Sequence, residues 1–138
     1  MSGAYRGALP QPTPETRPFW DAAREGRLVL PWCEDCSQPH FYPRAICPHC
    51  GGGRLDWRAA SGRGRLHTYV INHKPAKGFE DRVPYVIAVV ELEEGPRVLT
   101  NIEIADPTPE ALPIDRKLEV AFRKVTEEIT LPVFRPAP

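Results

Sequence analysis

Cys33-Glu34-Asp35-Cys36, ten intervening residues, and then Cys47-Pro48-His49-Cys50-Gly51-Gly52 set two C-x-x-C turns close together in a chain of 138 residues. In such a turn both thiolates reach one ion while backbone amides point toward sulfur, and two turns on facing hairpins complete a tetrahedron. Gly51 and Gly52 supply the positive φ that the second turn requires. A redox pair is the competing reading, but that chemistry uses one C-x-x-C in a βαβ setting. Cys33, Cys36, Cys47 and Cys50 are therefore expected to hold one metal ion. Four thiolates accept zinc or iron, and the sequence does not separate them; the expectation adopted is Zn2+. With every coordination position filled by protein, the ion is structural rather than catalytic. His49, inside the second turn, is surplus to a four-coordinate site, and both it and His40 in the connecting loop are expected to face solvent.

Composition sets the limits around this module. Lys+Arg and Asp+Glu both number 18, so the net charge is zero and no overall attraction to nucleic acid or anionic membrane is expected. The longest apolar stretch, Tyr85 to Val90, is far shorter than the roughly 20 residues a membrane helix needs. Met1 to Pro14 lacks the basic and apolar regions of a secretory signal, so a reducing, cytoplasmic setting is expected, in which disulfides rarely persist.

Moving outward, the chain divides into four zones. Residues 1–14, rich in Pro and Gly, are expected to be flexible. Residues 15–26 read as a helix, with Thr13 or Thr16 as cap, Pro18 in the first turn and Gly26 as the closing residue. Phe19, Trp20 and Ala23 share a face of it, which either packs on the chain's own domain or docks on a partner. Residues 27–60 form the ribbon. Residues 61–138 alternate in the manner of strands at Leu66–Asn72, Tyr85–Leu92, Val98–Ile104, Leu118–Phe122 and Ile129–Phe134. Pro109 to Leu112 adds one helical turn between the third and fourth. The fold class expected is mostly β: an N-terminal helix, a rubredoxin-like zinc ribbon and a five-stranded OB-fold barrel, with a flattened sandwich as the alternative.

A search for catalytic groups finds no complete set. His67, Tyr69 and His73 fall on one face if their strand is regular, but no nucleophile or carboxylate stands beside them, and a polar outer face is the simpler account. Ser61, Thr68 and Thr100 lack any nucleophile motif. Gly62-Arg63-Gly64 opens a strand rather than a helix and reads as a turn. Glu91, Glu93 and Glu94 adjoin Gly95-Pro96 and read as a solvated hairpin tip. Arg116, Lys117, Arg123 and Lys124, with Lys74 and Lys77, could meet the phosphates of a nucleotide-like ligand.

Leading helix around Pro18-Phe19-Trp20, C-x2-C-x10-C-x2-C ribbon, and a barrel closing on Leu131-Pro132-Val133-Phe134-Arg135-Pro136 appear in an order that resembles a known family. It is similar to the zinc-ribbon OB-fold proteins of the domain of unknown function 35 family. Val83-Pro84-Tyr85-Val86-Ile87-Ala88-Val89-Val90-Glu91-Leu92 is also typical of that family's second barrel strand. Where the family commonly carries Gly before the fourth strand, this chain has Ile114-Asp115-Arg116, and Asp is among the few other residues that tolerate such a turn.

The resemblance implies an accessory, non-catalytic role beside thiolase-like or lipid-transfer-protein-like enzymes that work on acyl-CoA. Examples in the family include the retro-aldolase of steroid side-chain degradation and an acyltransferase. It implies further that catalysis resides mainly in the partner. On that basis Phe19, Trp20, Trp32, Phe41 and Tyr42 are the candidate partner-binding aromatics, and Lys74, Lys77, Arg123 and Lys124 the candidate CoA contacts. Trp57 is expected in the core between ribbon and barrel. A single-stranded nucleic-acid-binding module is the alternative; it requires a basic groove with stacking aromatics, and the balanced charge speaks against it.

Overall fold

The computed structural model describes residues 5–138. Its elements run α1 (Arg17–Arg24), β1 (Val29–Cys33), β2 (Leu55–Ala59), β3 (Arg63–Asn72), β4 (Tyr85–Leu92), β5 (Arg97–Ile102), β6 (Lys117–Lys124) and β7 (Thr130–Pro136). β1 and β2 pair antiparallel from Val29↔Ala59 to Cys33↔Leu55 and form the ribbon hairpin. The other five strands close a barrel in the order β3-β4-β5-β7-β6, with β6 returning to β3. Four of the seams are antiparallel, and β5 meets β7 parallel at Ile102↔Phe134. Closure rules out the flattened sandwich and leaves the barrel without an open edge.

The barrel core follows from period-two alternation. Along β4, Val86, Ala88, Val90 and Leu92 point inward and are buried, while Tyr85, Ile87, Val89 and Glu91 are half-exposed. Leu66 from β3, Leu118 from β6 and Phe134 from β7 complete the interior. The expected helical turn is present: Ala111 and Leu112 both donate backbone N–H bonds to the Thr108 carbonyl, and buried Leu112 fills the core beneath it. Before β6 the chain turns at Asp115 with φ of 70°, the left-handed conformation expected at that residue, and its carboxylate accepts a bond from Arg65.

α1 packs against β1, β6 and β7. It buries Phe19, Trp20, Ala22 and Ala23 and leaves Arg17, Asp21 and Arg24 in solvent. The helix thus spends its apolar face on the chain's own ribbon and barrel. Its first turn carries Pro18, tolerated there because the missing N–H has no helical partner, and Gly26 closes it with φ of 79°. Thr16 stands at the N-cap, but its hydroxyl bonds back to Thr13 rather than forward into the helix.

Residues 1–4 of the amino-terminal zone lie outside the described residues. Residues 5–14 form no helix or strand, yet Tyr5 sits edge-on to Phe79 at 6.2 Å and under the Arg82 guanidinium at 5.2 Å. This pins the segment to the β3–β4 loop, a long-range contact that a Pro/Gly-rich composition does not announce. No helix among the described residues is long and apolar enough to cross a membrane.

Candidate metal centre and its surroundings

Each C-x-x-C turn is built by the same backbone device. In the first, Ser37 N–H donates to the Cys33 carbonyl at 2.8 Å; in the second, Gly51 N–H donates to the Cys47 carbonyl at 2.9 Å. Both residues therefore take a left-handed φ, 60° for Ser37 and 79° for Gly51. Gly52 is small for another reason: a Cβ there would stand 2.5 Å from the Asp35 carboxylate and 3.3 Å from the Cys50 sulfur. That carboxylate is fixed by Arg54, whose Nε donates to it at 3.0 Å, so the first turn is clasped to the chain leaving the second. Ser37 is an L residue where the geometry favours glycine. Ser37→Gly is expected to stabilise the zinc-loaded fold by about 0.5–1 kcal/mol, and a thermal melt checks this as a rise of a few degrees.

The sulfurs suit a tetrahedral ion. All four lie within 4.8 Å of one another, with Cys33 to Cys50 at 3.6 Å and Cys36 to Cys47 at 3.7 Å. Four ligands at the usual zinc–sulfur distance of about 2.3 Å stand roughly 3.8 Å apart, whereas a disulfide needs about 2.0 Å. Burial, reinforced by the neighbouring thiols, pushes Cys36 up to about 12. Burial also pushes at Cys47, but the backbone amides of Cys50 and His49 override it and bring that thiol down to about 7. The His49 amide lies 3.3 Å from the Cys47 sulfur. Cys47 is thus prepared as a thiolate, whereas Cys36 and Cys50 are held toward the thiol, and the cation that would draw them to thiolates is what metal binding supplies. No other group of three or more metal-ligating side chains is gathered among the described residues.

Other predicted residues fall differently. His49 is exposed, as expected, with Nε2 3.2 Å from the Pro39 carbonyl. His40 is not: it is 2 % exposed and neither ring nitrogen has a hydrogen-bond partner among the described residues. The chain after the first turn doubles back along β1, with Cys33 N–H on the Gln38 carbonyl and His40 N–H on the Pro31 carbonyl, and this drives the ring inward. Burial, with the Arg44 and His49 charges nearby, pulls the His40 pKa below its ordinary value.

The His67–Tyr69–His73 row does not form. β3 shifts register between Leu66 and Thr68, so His67 is the extra residue of a bulge. His67 and His73 are left exposed, whereas Tyr69 packs on the core. The hairpin-tip acids are structural: Arg63 pairs with Glu93 at 3.0 Å, Arg65 with Glu91 at 2.7 Å, and Glu94 accepts the Ser61 N–H at 2.7 Å. Of the basic candidates, Arg123 is paired with Glu103 and Lys124 with Glu127, while Lys74 and Lys77 are exposed on the β3–β4 loop. Arg123 does line a cleft of about 270 Å³ at one end of the barrel. Its other walls include Tyr5, Phe79, Arg82 and Tyr85, which the sequence reading did not assign to any site.

Four of the five aromatic candidates, Phe19, Trp20, Phe41 and Tyr42, form one cluster, most of it internal. Phe19 (3 % exposed) contacts Trp20, Phe41 and Tyr42 at centroid distances of 5.0, 5.6 and 5.9 Å. Trp20, 8 % exposed, donates its indole N–H to the Tyr42 hydroxyl at 3.0 Å. Phe19 and Trp20 therefore knit the helix to the ribbon loop. Tyr42 is the most exposed of the five at 39 %. Trp32 is half-buried beneath the Arg58 guanidinium, and Trp57 is half-buried on the core, close to its expected place.

A rubredoxin-like ribbon set on a closed five-stranded OB barrel defines a zinc-ribbon OB-fold protein. Residues 20–56 match the family described as ChsH2, rubredoxin-like zinc ribbon domain, and residues 57–123 match ChsH2, C-terminal OB-fold domain. The chain belongs to this ChsH2, or DUF35, family, and the ion its four cysteines are positioned to bind is a structural Zn2+. A DUF35 domain-containing scaffold protein of Methanothermobacter thermautotrophicus is 43% identical over 97 residues, 70% of this chain and 71% of that protein.

A probable enoyl-CoA hydratase alpha subunit of Thermomonospora curvata is 39% identical over 121 residues, 86% of this chain but 37% of that protein. The 3-oxo-4,17-pregnadiene-20-carboxyl-CoA hydratase alpha subunit of Mycobacterium tuberculosis is 34% identical over 103 residues, 75% of this chain and 32% of that protein. The chain thus spans about a third of the length of these two hydratase subunits. Among solved structures, a chain of the Ltp2-ChsH2(DUF35) aldolase superposes with a TM-score of 0.79 at 35% identity, covering 93% of this chain and 98% of that one.

Proposed function

We propose that this protein is a non-catalytic accessory subunit of an acyl-CoA-processing complex, a scaffold that docks on a thiolase-like or lipid-transfer-protein-like enzyme and helps to hold its acyl-CoA. The observation that carries the reading is the near end-to-end likeness to the DUF35 chain of an aldolase whose name pairs that chain with a second protein. The scaffold and CoA-hydratase names of other relatives support it. A steroid or related lipid acyl group is the substrate class this points to.

The residues of the chain agree. Its His, Ser and Tyr candidates are separated or exposed without catalytic partners, and its zinc site is closed. More than half of its arginines are paired with neighbouring acids, which argues against a basic stripe for a nucleic-acid strand. Tyr42 and Trp32 are the aromatics free to meet the partner, with Phe19, Trp20 and Phe41 supporting them from behind. For the acyl-CoA, the cleft with Arg123 and Arg82 at its wall is better formed than the exposed Lys74, Lys77 and Lys124. The isolated, zinc-loaded chain is expected to turn over no acyl-CoA thioester or ketone. Turnover by the chain alone, abolished by a single substitution that leaves the fold intact, would overturn the proposal.

A further inference from the structure

A second cleft, of about 550 Å³, lies where the ribbon loop faces the β4–β5 hairpin. Arg44 and His40 line it from the ribbon, and Glu94 and Arg97 from the hairpin. It is short of partners in two independent ways. Neither Arg44 nor Arg97 has a carboxylate within ion-pair distance among the described residues, although most other barrel arginines do. In the same cleft the two His40 ring nitrogens and Glu94 Oε1 are buried without a hydrogen-bond partner among the described residues. Unmet polar groups of this kind are rare in native interiors and call for a specific account.

The acids of the cleft do not cancel the arginines. Glu91 is already held by Arg65, and Glu94 already accepts the Ser61 N–H. Two guanidinium groups therefore line the cleft with one carboxylate, that of Glu94, which no guanidinium holds. Beyond Arg97, the register of β3, β4 and β5 sets an apolar strip on the outer face of the barrel. The next outward residue of β5 after Arg97 is Leu99, 71 % exposed, which pairs with Val89 of β4. On β3, Val70 (58 % exposed) pairs with Ile87. These side chains are aliphatic, so they offer no stacking platform for bases.

We infer that this cleft receives an extended segment of the partner protein, with a Glu or Asp side chain between Arg44 and Arg97 and apolar side chains along Leu99, Val89 and Val70. An extended backbone carries both N–H and C=O groups, which is the mixture that a neutral imidazole and a carboxylate oxygen together lack. Guanidinium forks recognise carboxylates in two-pronged fashion. The inference rests on the accessory-subunit reading for its choice of a protein occupant.

The test needs no enzyme partner. Zinc-loaded, isotope-labelled full-length chain is titrated with end-blocked hexaglutamate, and separately with hexaserine, while NMR follows the His40 ring and the Arg44 and Arg97 guanidinium signals. The expected result is a saturable shift with hexaglutamate that weakens about tenfold or more in Arg44→Ala/Arg97→Ala. Both positions are solvent-exposed, and an otherwise unchanged amide spectrum confirms that the variant is folded. No shift at millimolar hexaglutamate, an equal shift with hexaserine, or an undiminished shift in the variant overturns the inference. Because the readout is local to the cleft, its failure leaves the accessory-subunit reading standing, and failure of that reading leaves this result unaffected.

Discussion

Removing the metal is expected to unfold residues 27–60 while leaving much of the barrel in place. β1 and β2 are five residues each, and a two-stranded hairpin is marginal in water by itself. Between them the loop from Glu34 to Arg54 contains no regular element and is organised by the two C-x-x-C turns. Structural zinc contributes an apparent binding free energy of about 10–16 kcal/mol, more than such a hairpin can supply from packing. Complete chelation, or Cys47→Ser, should therefore abolish resistance to proteolysis between Glu34 and Arg54 and collapse the near-UV signal of Trp32 and Trp57. An unchanged near-UV spectrum and an unchanged digestion pattern in the metal-free chain would contradict this.

Trp20→Ala is the second large effect, and it falls on the fold. The indole is almost wholly buried, packs on Phe19 and holds Tyr42 through its N–H. Truncating a buried aromatic of this size costs about 3–5 kcal/mol, a large part of the roughly 5–15 kcal/mol that stabilises a typical domain. Urea titration should show the midpoint falling with little change in slope. Tyr42→Phe removes the hydrogen bond and keeps the ring, so it should cost only about 0.5–1.5 kcal/mol. Had the helix been a docking element, Trp20→Ala would weaken partner binding while leaving the midpoint unmoved. Its burial predicts the reverse order.

The strands were legible where alternation is undisturbed. Tyr85–Leu92 is a strand over the span that its pattern marks, because half-buried positions alternate with buried ones along its length. β3 begins earlier than expected, at Arg63, since its first residues are polar and pair with β6 rather than fill the core. The cysteine cluster was legible because spacing alone encodes it, and Asp115 because few residues adopt its φ. What local sequence does not carry is which surface a segment meets. An amphipathic helix with Phe19 and Trp20 on one face looks the same whether that face meets its own barrel or a partner's groove. His40 reads as a loop residue until the chain folds back on Pro31. The bulge at His67 arises from pairing with β4, and periodicity within β3 gives no warning of it.

The partner cleft was missed for the same reason. Arg44 belongs to the ribbon and Arg97 to the barrel, and nothing in the linear order brings them together. Only the packing of the ribbon loop over the β4–β5 hairpin creates the cleft and leaves His40 and Glu94 short of partners beneath it. The zinc site and the proposed docking surface are thus linked through one loop: the ion sets the two turns, and the segment between them carries His40, Tyr42 and Arg44.

The most direct measurement is affinity purification of the tagged full chain from its native cells, with mass spectrometry and stoichiometry of what co-purifies. A thiolase-like enzyme in fixed stoichiometry, which gains acyl-CoA activity or stability from the association, is the predicted result. Recovery of the chain alone, or bound to RNA in a salt-sensitive manner, would contradict the account and return the OB barrel to a nucleic-acid role.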